Sequence, residues 1–226
     1  MASSCLTSPG KRVHTPDIEG NRNWQRAILI GLLASVVGSN AAATDEPADD
    51  LMTRNPWDSC TYCHGVDGAI YDPTIPAIAG QSGVYLRKQL GDFRAGKRVD
   101  PSGMMTSALF LLEPKDDAAV VRYFSSKPRP TAKTVAATSP SLIGEKLYKR
   151  GTAGKPACLS CHGDQARAIN TSYPELHGLS AGYVATQLRR FRSGARANDP
   201  NGIMRSIAQQ LNEEEIDMVA KHIDQR

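Results

Sequence analysis

The chain has 226 residues, 40% hydrophobic and 22% charged, with a formal net charge of +4. That length suits one large or two small domains, each with a modest core. The charge speaks against a nucleic-acid partner, because Arg189, Arg190, Arg192 and Arg196 lie beside acids and no aromatic or groove-reading motif accompanies them.

At the start, Lys11, Arg12, Arg22 and Arg26 precede an apolar run over residues 27–38, and the small residues Ala41, Ala42 and Ala43 follow. This is the layout of a secretory signal peptide. The run is shorter than the ~20 residues a spanning helix needs, and Asp45 and Glu46 come directly after it. Residues 1–43 are therefore expected to be a signal peptide, cleaved near Ala41 to Thr44, with the mature chain in the periplasm. No later run is apolar enough to span a bilayer, so membrane contact is expected only through partner complexes. Removing the segment takes Cys5 with it and leaves Cys60, Cys63, Cys158 and Cys161.

An internal repeat organises what remains. Cys60-Thr61-Tyr62-Cys63-His64-Gly65 recurs as Cys158-Leu159-Ser160-Cys161-His162-Gly163. At the same offset Gly80, Tyr85, Gln89, Phe93 and Arg98 return as Gly178, Tyr183, Gln187, Phe191 and Arg196. After a one-residue insertion, Asp100-Pro101-Ser102-Gly103-Met104-Met105 pairs with Asp199-Pro200-Asn201-Gly202-Ile203-Met204. Two copies of one domain are expected, over residues 44–126 and 141–226. Between them, residues 127–140 carry Pro128, Pro130 and Pro140 among Thr, Ala and Ser, a composition that favours extended backbone and reads as a linker short enough for the domains to touch.

Each copy reads as helical. In the second, Leu142, Leu147 and Tyr148 fall at helical spacing up to Gly151, and Ser180 can cap a helix presenting Val184, Leu188 and Phe191. Asn212 with Glu215 forms a capping box for a last helix with Ile216, Val219, Ala220 and Ile223 on one side. In the first copy Pro114 takes the first-turn position, ahead of Val120, Val121 and Phe124. No period-two run of β-branched residues occurs, so the expected fold is all-α without a sheet.

A bare C-x-x-C could be half a zinc site, a redox disulfide or a structural bridge; the histidine after each pair distinguishes these. C-x-x-C-H is the pattern of c-type haem attachment, in which two thiols form thioethers and the histidine reaches the iron. A four-thiolate zinc site would leave both histidines unexplained. The chain is thus expected to carry two covalent haem c groups, one on Cys60 and Cys63, the other on Cys158 and Cys161, with His64 and His162 as iron ligands. Met105 and Met204, 41 and 42 residues after their histidines, are the candidate sixth ligands on polar loops; Met104 rivals Met105, and the repeat favours the latter. Pro76 and Pro174 each lie twelve residues after a histidine, where a carbonyl could accept from the ring's second nitrogen, although a simple turn would look the same.

On these residues both halves resemble class I cytochrome c domains, and the tandem resembles the dihaem cytochrome c4 family. The resemblance covers nearly all of the expected mature chain. It implies His/Met ligation, a pseudo-twofold arrangement and electron delivery to a terminal oxidase or similar acceptor, with an upstream cytochrome or copper protein as donor. The first copy departs from the family before Cys60, where Asn55-Pro56-Trp57-Asp58 lacks a glycine-containing helix end, which implies a short or irregular opening helix.

Closed six-coordinate irons would make the chain a carrier and not an enzyme. The rivals are a haem-bearing, electron-accepting subunit of a larger oxidoreductase such as a flavocytochrome sulfide dehydrogenase, which an apolar surface patch would favour, and a dihaem enzyme, against which the matched methionines argue. Residues 44–126 carry eight basic against twelve acidic residues, and residues 127–226 fifteen against nine. This split leads us to expect different docking partners for the two domains.

Overall fold

The computed structural model describes residues 55–130, 142–152 and 154–226. The expected signal peptide and most of the expected linker lie outside them. The described residues belong to one compact unit, Pro47–Arg226, and contain helices and turns but no strand.

The first half contributes α1 (Asp58–His64), α2 (Gly83–Arg94), α3 (Met104–Leu111) and α4 (Asp117–Ser125). The second contributes α5 (Leu142–Arg150), α6 (Leu159–His162), α7 (Ala181–Ser193), α8 (Ile203–Gln209) and α9 (Glu213–Asp224). Local chemistry explains the boundaries. Ser82 and Ser180, equivalent in the repeat, accept from the backbone N–H of Tyr85 and Tyr183 and so start α2 and α7. Asn212 and Glu215 form the reciprocal capping box of α9. Pro114 opens a single 3-10 turn, Pro114–Asp116, and the α-helix proper begins only at Asp117.

Two apolar clusters hold the halves. Leu109, Leu112, Val120 and Phe124 are buried in the first, with Trp57, Cys60, Leu86, Leu90, Phe93 and Met105 against them. In the second, Leu147, Tyr148, Val184, Ile216, Val219 and Ile223 are buried where α5, α7 and α9 meet. The repeat breaks at its start. Residues 55–57 form a turn feeding directly into α1, and Trp57 stacks on Tyr123 of α4 with ring centroids 4.4 Å apart.

The halves meet through reciprocal bonds, as a twofold relation requires. Arg98 Nη2 donates to Tyr183 Oη at 3.0 Å, and Arg196 Nη2 donates to Tyr85 Oη at 3.0 Å. Each guanidinium also donates within its own half, Arg98 to Gln89 at 2.6 Å and Arg196 to Gln187 at 2.9 Å. Arg98 lies over Phe93 and Arg196 over Phe191. Ser180 Oγ donates to the Asp72 carbonyl, and Ser82 Oγ to that of Thr171.

Residues 127–130 do not form a loose spacer. They pack between the halves, with the Arg129 side chain donating to carbonyls of both. Backbone that looks extended by composition is held here by a charged side chain that composition does not weigh.

His222 on α9 is 1% exposed, and its Nε2 lies 3.0 Å from Arg226 Nη2. Since a guanidinium only donates, Nε2 must accept, and the ring must be neutral. Burial, reinforced by Arg226 and partly opposed by Glu145, pushes His222 down to about 4. Below the ordinary histidine value the unfolded chain takes up a proton that the native chain refuses. This contribution to stability is therefore complete above about pH 6.5 and is lost as pH falls towards 4. Urea unfolding at about pH 7 and pH 5 should show a smaller acid loss for His222→Gln, which keeps an acceptor but cannot titrate. An equal loss in both proteins would place the effect elsewhere.

Candidate haem-binding sites

In each half the C-x-x-C-H segment forms a short helix ending on the histidine, α1 in the first and α6 in the second. The following loop turns back and fixes the proline segment. The Gly68 carbonyl accepts from the N–H groups of Ile78 and Ala79, and the Ala166 carbonyl accepts from those of Leu176 and His177. In the second half the Tyr148 hydroxyl, itself fully buried, also donates to the Gly163 carbonyl at 2.6 Å.

This folding brings each proline carbonyl onto its histidine. His64 Nδ1 lies 2.9 Å from the Pro76 carbonyl oxygen, and His162 Nδ1 lies 3.0 Å from that of Pro174. A carbonyl can only accept, so Nδ1 carries the proton and donates. Both rings are more than nine-tenths buried. Burial pushes both imidazoles below their ordinary value, although the proline bonds work the other way; Arg98 adds to the lowering at His64. The result in each half is a neutral ring, protonated on Nδ1, with a bare Nε2 lone pair available to a metal.

Met105 and Met204 are not on loops. They occupy the first turns of α3 and α8, because the Asp100 and Asp199 carboxylates cap those turns by accepting from the N–H groups of Met105 and Arg205 at 3.2 and 3.0 Å. Gly103 and Gly202 precede the helices with φ of 71° and 68°, a left-handed conformation that glycine adopts without a Cβ penalty. Met105 packs on the same cluster as Cys60, whereas Met104 is 49% exposed.

In the second half a cavity of about 480 Å³ is lined by Cys158, Cys161, His162, Pro174, Leu188, Phe191 and Met204, with Arg98 and Arg196 also on its wall. Its size falls within the range of cofactor pockets. The donor set fits a haem: two adjacent thiols, a buried histidine with its free nitrogen, a thioether, apolar walls, and guanidiniums suited to an anionic edge. Burial pushes the Cys158 thiol up to about 11 and raises Cys60 as well. Among the described residues, no three His, Cys, Asp or Glu side chains gather into a metal-binding group. Arg98 and Arg196 were visible in the sequence as repeated residues, but their crossing onto Tyr183 and Tyr85 was not, since it depends on how the copies are docked.

Fold and site together define a c-type cytochrome with two covalent haem c groups in tandem class I domains. No family model matches the chain. It is 42% identical over 178 residues to a cytochrome c4 of Azotobacter vinelandii, covering 73% of this chain and 82% of the relative. It is 33% identical to a thiosulfate dehydrogenase electron acceptor of Stutzerimonas stutzeri, with 86% and 92% covered. The crystal structure of reduced cytochrome c4 from Pseudomonas stutzeri superposes with a TM-score of 0.67 at 36% identity, covering 74% of this chain and 93% of that one. The chain belongs to the dihaem cytochrome c4 family, whose members are electron carriers and not enzymes.

The crossed arginine–tyrosine bonds predict energetic coupling between the halves. A double-mutant cycle of Arg98→Met and Tyr183→Phe, followed by chemical denaturation, should give a coupling energy of at least about 0.5 kcal/mol. Additive effects would mean that the pair contributes nothing across the interface.

Proposed function

We propose that the chain is a periplasmic carrier that passes electrons along a respiratory chain to a terminal oxidase. In this reading residues 1–43 direct export, residues 44–126 and 141–226 are the haem domains, and residues 127–140 join them. Cys60, Cys63, Cys158 and Cys161 form the thioethers; His64 with Met105, and His162 with Met204, hold the irons. The observation that carries the reading is the matched histidine–proline bond in both halves, which leaves one donor nitrogen per half available to iron.

When bound, each haem supplies a one-electron iron couple. The chain's residues determine how it is used. His64 and His162, oriented by Pro76 and Pro174, are made stronger donors because sharing the Nδ1 proton with a carbonyl leaves more electron density on the ring. A Met105 or Met204 thioether would complete the ligand set of each iron and favour a high potential. The apolar walls exclude water and keep the surroundings nearly fixed as charge changes. Among the described residues no helix is long and apolar enough to cross a membrane.

An optical redox titration of the purified protein tests the ligand set. Wild type should show two high-potential steps and the weak near-infrared band of Met-ligated ferric haem. Met105→Leu and Met204→Leu should each remove half of that band and lower one step, whereas Met104→Leu should leave both unchanged. Loss of the band in Met104→Leu would reassign the first iron.

One observation favours a second reading, in which the chain accepts electrons from a larger oxidoreductase. Phe110 and Leu111 on α3 are 90% and 67% exposed, while their counterparts in the second half are Gln209 and Gln210. An exposed apolar pair that only one copy carries at this position suits a protein contact, and a relative carries the name thiosulfate dehydrogenase electron acceptor. If thiosulfate dehydrogenase is the donor, changing Phe110 and Leu111 to glutamine should slow reduction of the holoprotein by that enzyme and thiosulfate about tenfold or more. Equal rates would leave the oxidase reading without this rival.

A further inference from the structure

Arg129 has an environment that the carrier reading does not use. Its guanidinium is mostly buried and, among the described residues, makes no side-chain ion pair; it donates to four backbone carbonyls. Nη1 donates to Ala77 and Ala79, at 3.3 and 2.9 Å. Nη2 donates to Glu175 at 3.1 Å, and Nε to His177 at 2.6 Å. Ala77 directly follows Pro76, and Glu175 directly follows Pro174. One side chain therefore grips both segments whose proline carbonyls hold the two histidines.

The surroundings are built to admit it. A Cβ on Gly80 would lie 2.9 Å from the Arg129 backbone nitrogen, and one on Gly178 would lie 2.6 Å from the Pro130 carbonyl oxygen. The repeat has glycine at both positions, and the extended segment carrying Arg129 runs against each. Gln81, 4% exposed, adds a direct bond between the same segments: its Nε2 donates to the Glu175 carbonyl at 3.0 Å, and its Oε1 accepts from the Glu175 N–H at 2.8 Å. Burial pushes the guanidinium down to about 10, partly opposed by Glu175, so it stays charged at neutral pH. The Glu175 carboxylate itself accepts from the Ala168 N–H.

We propose that Arg129 is a positioning residue for both haem sites at once, holding the Pro76 and Pro174 segments in the register that orients His64 and His162 and placing one buried positive charge between the two sites. The inference rests on the assignment of those histidines as iron ligands. A fixed positive charge favours whichever state of a nearby centre holds one more electron, so Arg129 raises both midpoint potentials together. No proton or bond changes hands; the charge acts only on the balance between the two oxidation states.

The test is a spectroelectrochemical titration of the holoprotein and its variants. Arg129→Gln keeps hydrogen-bond donors but removes the charge, and should lower both midpoints in the same direction. Arg129→Lys restores the charge without the four-carbonyl fork. It should return both midpoints towards wild type while moving the Nδ1–H proton resonances of both histidines. Unchanged midpoints in Arg129→Gln, or a shift in one only, would overturn the proposal. Should Arg129→Gln fail to fold, unmoved histidine resonances in Arg129→Lys would overturn it equally. If wild type itself lacks histidine and methionine ligation, the carrier assignment falls first and this inference with it. If wild type shows that ligation and the variants match it, the inference alone fails.

Discussion

The hydrogen bond from a histidine Nδ1 to a proline carbonyl is the constraint on which the rest of this structure depends. It appears twice, at 2.9 and 3.0 Å, and it decides three things together. It selects the tautomer, leaves Nε2 without a proton, and ties a helix-borne residue to a loop twelve positions on. That loop cannot hold the ring unless its own backbone is fixed. The turn after each C-x-x-C-H segment provides this, by offering one carbonyl to two successive N–H groups of the proline segment. The capped helices α2 and α7 then begin within a few residues, so the site is supported by rigid elements on both sides.

Duplication turns this local arrangement into a two-centre device. The residues that dock the copies, Tyr85, Gln89, Arg98 and their counterparts, stand on or just beyond the helices that support the haem sites. Arg98 and Arg196 also line the second cavity. Interface and cofactor wall thus share side chains, and a change in how the halves are docked is felt at the site. Burying two guanidiniums is costly unless their donors are satisfied. Here neutral phenol and amide oxygens take them up, which leaves net positive charge beside the cofactors.

Much of this was legible in the chain itself. The paired motifs specify covalent haem, and the repeat specifies two copies of an all-α domain, because capping residues and 3.6-residue periodicity are local signals. The proline carbonyls were visible as positions but not as bonds, since a turn residue and a hydrogen-bond acceptor have the same spacing. The methionine segments read as loops because Pro, Gly and Asp dominate them; the Asp carboxylate ends that loop by accepting from the N–H of Met105 in one copy and of Arg205, next to Met204, in the other. The role of residues 127–130 was not legible at all. Proline-rich composition describes backbone preference, while the outcome there depends on one arginine meeting carbonyls from both copies.

The same repeat shows where the halves have diverged in what they present to partners. Helices α3 and α8 descend from one pattern and both begin beside a conserved methionine, yet α3 ends on exposed Phe110 and Leu111 and α8 on exposed Gln209 and Gln210. Packing cannot account for the difference, since the buried positions Leu109 and Ala208, Leu112 and Leu211 remain apolar in both. The net charge differs in the same sense, acidic over residues 44–126 and basic over 127–226. Charge sets encounter and orientation over a Debye length of about 8–10 Å, and an apolar patch acts only after contact. The chain thus pairs two similar centres with two dissimilar surfaces, and the difference lies where partners meet it and not in the core.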